Sequence, residues 1–574
     1  MKGKTSVATA IDAVREVGNP TILATFTIIA ALLPMGFVSG LMGPYMRPIP
    51  VLGSSAMFFS LIAAFIFTPW FAVKVAPKFA ALKKAEEKEK KTHERISRIY
   101  RPVIMPLVEN RKLGLLFLFG IIGITAALCI TFYTQHVPVK MLPFDNKAEF
   151  TVIVNMPEGT AMPDTANVTL ALAEAVREIP EVTAVVTYAG SAQPFNFNGL
   201  VRHYYLRTRP WEGDLLVMLT DKKERERGSH EIAVEARSIL KPVADAMGAR
   251  IAVVEMPPGP PVLQTMVAEV YGPDAETRRQ VASDLVAMFE QVENVVDVDT
   301  YMAEPYEYWR FEAETEKAVR RGVSVDTVNG SLAMAMGSFK LGDIKRGTVL
   351  EPTYIIMQIP LAVRSQITRL GDLPIPTSDG RTIPLSELGE FKKGYEEPVL
   401  YTKDLRDIEY VVGEMEGRLG APIYGMLHVE DLVEQYTAPD GVKMETMPKT
   451  ILGKPGEWTF IGTRSDSTQS GYEWTGEWTV TYETFRDMGG AFMAALILIY
   501  GLIVWEFKNF ALAGLIMSPI PVTMMGIIPG HWIMGAEFTA TSMIGMIALG
   551  GIIVRQSILI VEFVKLEVAS GKEV

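Results

Sequence analysis

The stretch TATSMIGMIALGGIIVRQSILIVEF, from Thr539 to Phe563, has the length of a bilayer-crossing helix and contains a cation, Arg555. Its only other charge is Glu562, near its end. A cation near the bilayer centre costs about 2.5 to 3.5 kcal/mol on insertion scales, and such residues usually face a helix bundle and pair with a carboxylate. The stretch therefore predicts a membrane transport protein. The alternative is that the long Arg555 side chain snorkels to the nearer membrane surface.

Composition indicates a chain that is part membrane and part water-soluble. Of its 574 residues, 49% are hydrophobic and 21% are charged. The only cysteine is Cys129, which excludes an intrachain disulfide. The net charge is -11 and the basic residues are dispersed, which argues against nucleic acid as a partner.

Hydropathy predicts about six transmembrane helices, three before and three after one large polar region. Each apolar segment has about the 20 residues that about 30 Å of hydrocarbon requires. In chain order we expect a cytoplasmic linker helix (1–20), two transmembrane helices (21–78), a cytoplasmic surface helix and linker (79–112), a third transmembrane helix (113–134), the polar region, three more transmembrane helices (488–566) and a cytoplasmic tail (567–574).

The basic residues predict the orientation. The segment between the second and third spans contains twelve Lys and Arg residues from Lys74 to Lys112, whereas Arg47 is alone between the first and second spans. Basic loops stay on the cytoplasmic side of a membrane. The large polar region is therefore expected outside the cytoplasm.

The polar region contains a short internal repeat. EVTAVVTY (181–188) and NVVDVDTY (294–301) share Val, Val, Thr and Tyr at matching positions, and each follows a predicted strand and an amphipathic helix. Two related βαβ units are implied, which makes the region an α+β domain.

Three separated segments resemble one known family. They are GNPTILATFTIIAALLPMGFVSGLMGPYMRPIPVLGSSAMFFSLIAAFIFTPW, VRRGVSVDTVNGSLAMAMGSFKLGD with the following LGDLPIPTSDGRTIPLSELGEF, and GGIIVRQSILIVEF. Together they are similar to resistance-nodulation-division (RND) efflux permeases of the hydrophobe and amphiphile, acriflavine-resistance-like branch. The resemblance covers nearly the whole chain.

The resemblance implies the architecture of a two-half pump in the inner membrane, with multiple passes and a large periplasmic domain. On that plan the chain begins after the fourth helix and ends after the tenth. The resemblance implies ferredoxin-like βαβ porter subdomains (135–336), a docking insertion (337–400) and porter return strands (401–487). It also implies a homotrimer that works with a periplasmic adaptor and an outer-membrane channel.

Arg555 is expected to act as a fixed counter-charge for proton transport. No predicted span contains an internal Asp or Glu, and Asp487 and Glu562 lie only at span ends. The resemblance places the acidic partners on the fourth helix, upstream of Met1. Arginine is effectively always protonated, so Arg555 does not itself carry the proton. The implied energy source is the proton motive force, without a cofactor.

A loop in the polar region is the predicted substrate pathway. In AGSAQPFNFNGLV, Phe195 and Phe197 alternate with Asn196 and Asn198, and this loop resembles the Phe-containing loop of drug exporters. Aromatic rings beside amides suit loosely oriented amphiphiles. Arg202 follows and is predicted to attract anionic or aromatic compounds. A loop that only anchors the core is the structural alternative.

Metal export and a non-transporting assembly role are the two alternative functions. In the metal-exporting branch the resemblance implies cleft methionines, and the matching positions here are Val323, Thr377 or Ser378, and a position close to Met266. Because thioethers that suit Cu(I) are missing from most of these positions, organic substrates are favoured over Cu/Ag-type metals. A non-transporting assembly module is the other alternative. An enzyme is not expected, because the six histidines are scattered and no HExxH or GxSxG motif is present.

Overall fold

The computed structural model describes residues 7–74, 79–256, 259, 262–444 and 467–571. These residues form two compact units. The first contains the long apolar helices and two multi-stranded sheets, and the second contains Met156–Asp164 and Met302–Val399.

The helices before the first strand are mostly long. The first helix, α1 (Val7–Leu32), includes residues 7–20 of the predicted linker and continues into the first span without a break. A 3-10 turn (Leu33–Phe37) follows it. The Asn110 side chain accepts hydrogen bonds from the backbone N–H groups of Lys112 and Leu113, so it caps a new helix directly after the surface helix. The bounds are α1 (Val7–Leu32), α2 (Met42–Met46), α3 (Pro48–Lys74), α4 (Phe79–Glu109) and α5 (Arg111–Tyr133).

The first sheet has the strand order β2-β3-β1-β4, and all its neighbouring strands are antiparallel. One helix connects β1 to β2 and another connects β3 to β4. Fully buried side chains such as Val152 and Leu215 on the sheet and Leu172 and Leu240 on the helices form its core. The elements are β1 (Glu149–Asn155), α6 (Met162–Val176), β2 (Val182–Ala189), α7 (Phe197–Val201), β3 (Glu212–Leu219), α8 (Ser229–Ala246) and β4 (Arg250–Val254).

The chain next enters a second sheet and then leaves it for the second unit. β5 (Met266–Tyr271), α9 (Ala275–Phe289) and β6 (Val295–Thr300) belong to the sheet. The second unit contains β7 (Glu307–Ala313), α10 (Thr315–Arg320), α11 (Val325–Met336), β8 (Phe339–Ile344), β9 (Thr353–Met357), α12 (Leu361–Arg364), α13 (Ile367–Gly371), β10 (Pro374–Pro376), β11 (Thr382–Pro384) and β12 (Gly389–Tyr395).

The second unit is larger than the predicted insertion at residues 337–400. β7 pairs with β12 from Glu307↔Tyr395 to Ala313↔Gly389. Because this ladder joins the two ends of the segment, residues 302–336 pack with the insertion. The buried core of the unit contains Ala318, Val323, Val328, Ile375, Leu385 and Leu388.

After the second unit the chain completes the second sheet with β13 (Tyr401–Lys403), β14 (Arg406–Met415), α14 (Pro422–Val433) and β15 (Gly471–Thr475). β6 and β13 both pair with β14, and the sheet then continues through β5 to β15. The order β6-β14-β5-β15 repeats the order of the first sheet. The two copies of the sequence repeat lie on β2 and β6, which occupy matching places in the two sheets.

Four helices complete the chain: α15 (Glu477–Phe507), α16 (Phe510–Met517), α17 (Met524–Met534) and α18 (Ala540–Ala569). The described residues contain six candidate membrane spans, the number that hydropathy predicts. The fifth is broken into α16, a 3-10 turn (Pro521–Thr523) and α17. Pro519 and Pro521 interrupt it because proline has no backbone N–H to continue the helical hydrogen bonds.

Candidate functional site

Arg555 lies within the helix bundle because α18 packs closely on α1. A Cβ atom added at Gly551 would lie 3.1 Å from the Cα of Ile28, which is near the middle of the Gly18–Phe37 span. Small residues permit such close helix contacts in membranes. Arg555 is one turn beyond Gly551, about 6 Å along the axis at about 1.5 Å per residue. Its neighbour Val554 is fully buried.

Arg555 is half-buried, and none of the ion pairs among the described residues involves it. Asp487 lies inside α15, which begins at Glu477 and is therefore longer than the predicted span. The Asp487 carboxylate is occupied elsewhere, because it accepts a hydrogen bond from the backbone N–H of Ser39 at 2.9 Å. The charge on Arg555 is therefore uncompensated within the described part of the chain.

The predicted substrate loop presents its rings and buries one of its amides. Phe195 is 66% exposed and Phe197 is 36% exposed. Asn196 caps α7, because its Oδ1 accepts a hydrogen bond from the backbone N–H of Gly199 at 2.7 Å. Asn198 is buried, and its Nδ2 donates to the carbonyl of Glu255 at 3.5 Å. The aromatic rings are available to a ligand, whereas both amides are engaged in local structure.

Arg202 is buried rather than presented at a surface. Its Nη1 lies 2.6 Å from Oε1 of Glu414, and both side chains are nearly inaccessible. Burial opposes the charged form, but Glu414 and Tyr204 together offset it and raise the pKa of Arg202 above its ordinary value. The cation is thus neutralised inside the protein and is not free to attract an anionic compound.

The positions considered for metal transport lie in different surroundings. Met266 is fully buried in the second sheet, beside Met415 and Gly425. In the second unit, Val323 is buried, and the backbone N–H of Ser378 donates to the carbonyl of Gly322 at 2.9 Å. Met266 therefore packs in the core of the first unit, while Val323 packs in the core of the second.

A cluster of buried and half-buried charged side chains, which the sequence did not predict, lies between the sheets and the ends of the membrane helices. We call it the junction cluster. Lys140 lies seven residues after the end of α5, Glu477 begins α15, and Glu537 lies three residues before α18. The other members come from the two sheets and their helices. The whole set is Lys140, Arg202, His230, Arg237, Glu255, Asp297, Glu414, Glu416, Glu477 and Glu537.

Most of these side chains line a cavity of about 50 Å³. Lys140 is 3% exposed, and its ammonium has no hydrogen-bond partner among the described residues. The Lys140 Nζ sits 2.8 Å from the ring centroid of Phe144. The other face of Phe144 stacks on His230, whose Nδ1 lies 2.6 Å from Oε2 of Glu255. The cavity thus has a cation, an aromatic pair and a carboxylate arranged in series.

Burial shifts the pKa values of Lys140 and Glu537 toward their neutral forms. It lowers the pKa of Lys140, against the opposing attraction of Glu477, Glu537, Glu255 and Glu414. It raises the pKa of Glu537, against the opposing attraction of Lys140 and His230. Both shifts follow from the cost of charge in a medium of low dielectric constant. The sequence offers one weak signal for this cluster, a lysine in the otherwise apolar run VPVKML directly after a span.

Carboxylates of β6 also join the two sheets at their edges. Asp297 accepts a hydrogen bond from the backbone N–H of Val253 on β4 at 2.9 Å, and Arg237 donates to the same carboxylate at 2.8 Å. Arg237 also donates to the Val253 carbonyl and to Glu416. Farther along, Asp299 pairs with Arg250 at 2.9 Å. Side chains therefore take the place of a backbone ladder between edge strands β4 and β6.

Comparison with known proteins identifies relatives over nearly the whole chain. The model of the AcrB/AcrD/AcrF family matches residues 1–448 and 467–574. An uncharacterized transporter of Haemophilus influenzae is 22% identical over 98% of this chain and 50% of its own length. The cation efflux system protein CusA of Escherichia coli is 21% identical over 96% of this chain and 48% of its own. The multidrug resistance protein MdtC of Photorhabdus laumondii is 18% identical over 96% of this chain and 49% of its own.

A solved structure shares the fold. The crystal structure of a heavy metal efflux pump superimposes with a TM-score of 0.67 at 16% identity, and covers 95% of this chain and 51% of that one. The chain spans about half the length of the curated relatives it matches. These relatives are named as transporters or efflux and resistance proteins, and not as enzymes, in agreement with the expectation from sequence.

Proposed function

The chain belongs to the AcrB/AcrD/AcrF family, and on that premise we propose that it forms about half of a proton-driven RND efflux pump in the inner membrane. The observation that carries the proposal is the family match over residues 1–448 and 467–574. The matched residues form a fold that combines six candidate membrane spans with two sheets of the same topology. The twelve basic residues between the second and third spans support a periplasmic location for the sheets.

In the proposed mechanism Arg555 is a fixed positive charge inside the bundle. Carboxylates on helices outside this chain pair with it, and protons entering from the periplasm neutralise them. The loss of that attraction lets the helices shift, and the sheets move in response. Each proton that crosses about 100 mV supplies about 2.3 kcal/mol.

We propose that the substrates are amphiphilic or toxic organic compounds. The exposed rings of Phe195 and Phe197 support this, because stacking and apolar contact accept many shapes. Asn196, Asn198 and Arg202 then support the loop and its surroundings instead of contacting the substrate.

The second candidate is export of a heavy-metal cation. It is favoured by the similarity to CusA and to the heavy metal efflux pump structure. Against it stands the chemistry of the matching positions, because Val323, Thr377 and Ser378 offer no thioether and Met266 is enclosed in a core. A module that only assembles with partners is the third candidate.

The proposed assembly is a homotrimer with a periplasmic adaptor and an outer-membrane channel. The two sheets would be ferredoxin-like porter subdomains within residues 135–336 and 401–487, and residues 337–400 would contain the docking surface. The β-α-β-β-α-β connectivity of each sheet supports the porter assignment.

Export from cells that lack their own efflux pumps tests the proposal. The full-length protein is expressed with its adaptor and channel, and accumulation of a fluorescent amphiphile is followed with and without a protonophore. Survival in copper and zinc is measured in the same cells. We expect protonophore-sensitive dye export and unchanged metal tolerance. If the cells show metal tolerance without dye export, the second candidate replaces the first. If they show neither activity, the assembly module is favoured.

A further inference from the structure

The junction cluster contains more carboxylates than cations. Its six carboxyl groups face three residues that are cationic at neutral pH, Lys140, Arg202 and Arg237, together with His230. Arg202 is committed to Glu414 and Arg237 to Asp297 and Glu416. Lys140 is left to balance Glu477, Glu537 and Glu255. An uncompensated buried carboxylate costs several kcal/mol, and such groups bind protons instead.

The cavity and its unpartnered groups provide a place for water. At about 50 Å³ it has room for about three water molecules, since one needs roughly 10 to 15 Å³. The Lys140 ammonium, the Nε2 of His230 and the Oε1 of Glu255 are buried without hydrogen-bond partners among the described residues. Each of these atoms needs a polar partner, and a water molecule in a cavity of this size can supply one.

The same residues are attached to the ends of three membrane helices. Lys140 follows α5, and its backbone N–H donates to the carbonyl of Phe538, two residues before α18. The backbone N–H of Glu477 donates to the carbonyl of Gln264, just before β5. A change of charge in the junction cluster therefore acts on the starts of α15 and α18. Arg555 lies on the second of these helices, α18.

We propose that the junction cluster is a proton-binding site outside the bilayer, in which Glu477 and Glu537 share protons around Lys140. A proton from water forms an O–H bond with a carboxylate oxygen, and the negative charge of that group is lost. The electrostatic attraction between that group and Lys140 then disappears, and the starts of α15 and α18 are held less firmly to the end of α5. The groups that face this site are Glu255, His230, Glu414 and Arg202 from the sheets and their helices.

Infrared difference spectroscopy of the full-length protein in nanodiscs tests this inference without any transport substrate. The carbonyl stretch of protonated carboxyl groups is recorded as the pH falls from about 8 to about 5. In the double variant Glu477→Gln with Glu537→Gln we expect at least half of the wild-type signal to disappear. The control Glu293→Gln, at an exposed position, should keep it. An unchanged signal in the double variant would overturn the inference.

A second variant separates a proton site from simple structural support. Lys140→Met removes the cation and should move the titration midpoint upward by about one to three pH units, because a nearby positive charge favours the ionised carboxylate. Lys140→Arg keeps the charge and should leave the midpoint near that of the wild type. Equal midpoints for Lys140→Met and the wild type, or equal shifts for both variants, would contradict the proposal. Because this readout does not depend on export, it stands apart from the test of the pump itself.

Discussion

Arg237 and Arg555 are guanidinium groups in two different regions of the molecule, and their surroundings differ. Arg237 sits where the two sheets meet and is 8% exposed. It is held by Asp297, Glu416 and the Val253 carbonyl. Arg555 sits among membrane helices and forms no ion pair within the described residues. Arg237 in the extramembranous region is thus paired internally, whereas Arg555 in the membrane region has no ion-pair partner within the described part of the chain.

This difference separates structural charge from functional charge. Asp297 and Glu416 fix Arg237 in one arrangement, and a buried pair of this kind specifies how two sheets meet. A charge that drives movement needs a partner whose charge changes. Under the proposed function that partner of Arg555 comes from helices outside this chain, and proton binding switches it off.

The largest effect is expected from breaking the pairing of Arg237. Asp297→Ala leaves the buried Val253 N–H without its acceptor and removes one of the two carboxylates that neutralise Arg237, which keeps Glu416 and the Val253 carbonyl. We expect the free energy of unfolding to fall by about 3 to 5 kcal/mol. Chemical denaturation of the purified full-length protein measures it.

The matched control is Asp245→Ala, which removes an exposed partner of Lys241 on α8. That loss should be below about 1 kcal/mol, because exposed pairs contribute little. Similar losses for both variants would mean that Arg237 is not anchored as described.

An intermediate effect concerns pH and the junction cluster. Burial raises the pKa of Glu537 above the ordinary 4.5, so the folded state binds this proton more tightly than the unfolded state does. Its contribution to stability is therefore fully present below the ordinary value and is lost as the pH rises through the raised pKa. Relative to wild type, Glu537→Gln should raise the unfolding temperature at neutral pH by about 2 °C and not at about pH 4.

Melting curves across this range check the sign of the effect. A stabilisation by Glu537→Gln that was greater in acid than at neutral pH would contradict the assignment of burial as the dominant cause.

The smallest effect is expected at the exposed loop, where no charge is involved. Replacing Phe195 and Phe197 together by Ala removes two rings that are available to a ligand. Aromatic contacts contribute about 0.5 to 1.5 kcal/mol each, so the loss of both rings should lower the apparent affinity for a fluorescent amphiphile about fivefold at the lower end of this range. Dye export as a function of concentration measures it. The control Leu206→Ala removes an exposed side chain beside the loop and should have no such effect.

The sequence predicted the features that depend on local pattern. Apolar length gave the six candidate spans, and the repeat 181–188 and 294–301 led to two related sheets. The break in the fifth span was missed because average hydropathy does not register the missing N–H groups of Pro519 and Pro521. The junction cluster was missed because Lys140, Glu414 and Glu537 are hundreds of residues apart and meet only in the fold. The ion pair of Arg202 with Glu414 was not predicted, because these two residues are also far apart in sequence.

The most direct test of the central claim is proton-dependent export by variants of Arg555 in the full-length protein. Proteoliposomes with an imposed pH gradient are loaded with a fluorescent amphiphile, and the wild type is compared with Arg555→Ala, Arg555→Lys and the control Arg98→Ala on exposed α4. We predict that Arg555→Ala loses the gradient-driven component, while Arg555→Lys keeps much of it because the charge remains. Wild-type gradient-driven export by Arg555→Ala would contradict the claim that this guanidinium is the counter-charge for the transported proton.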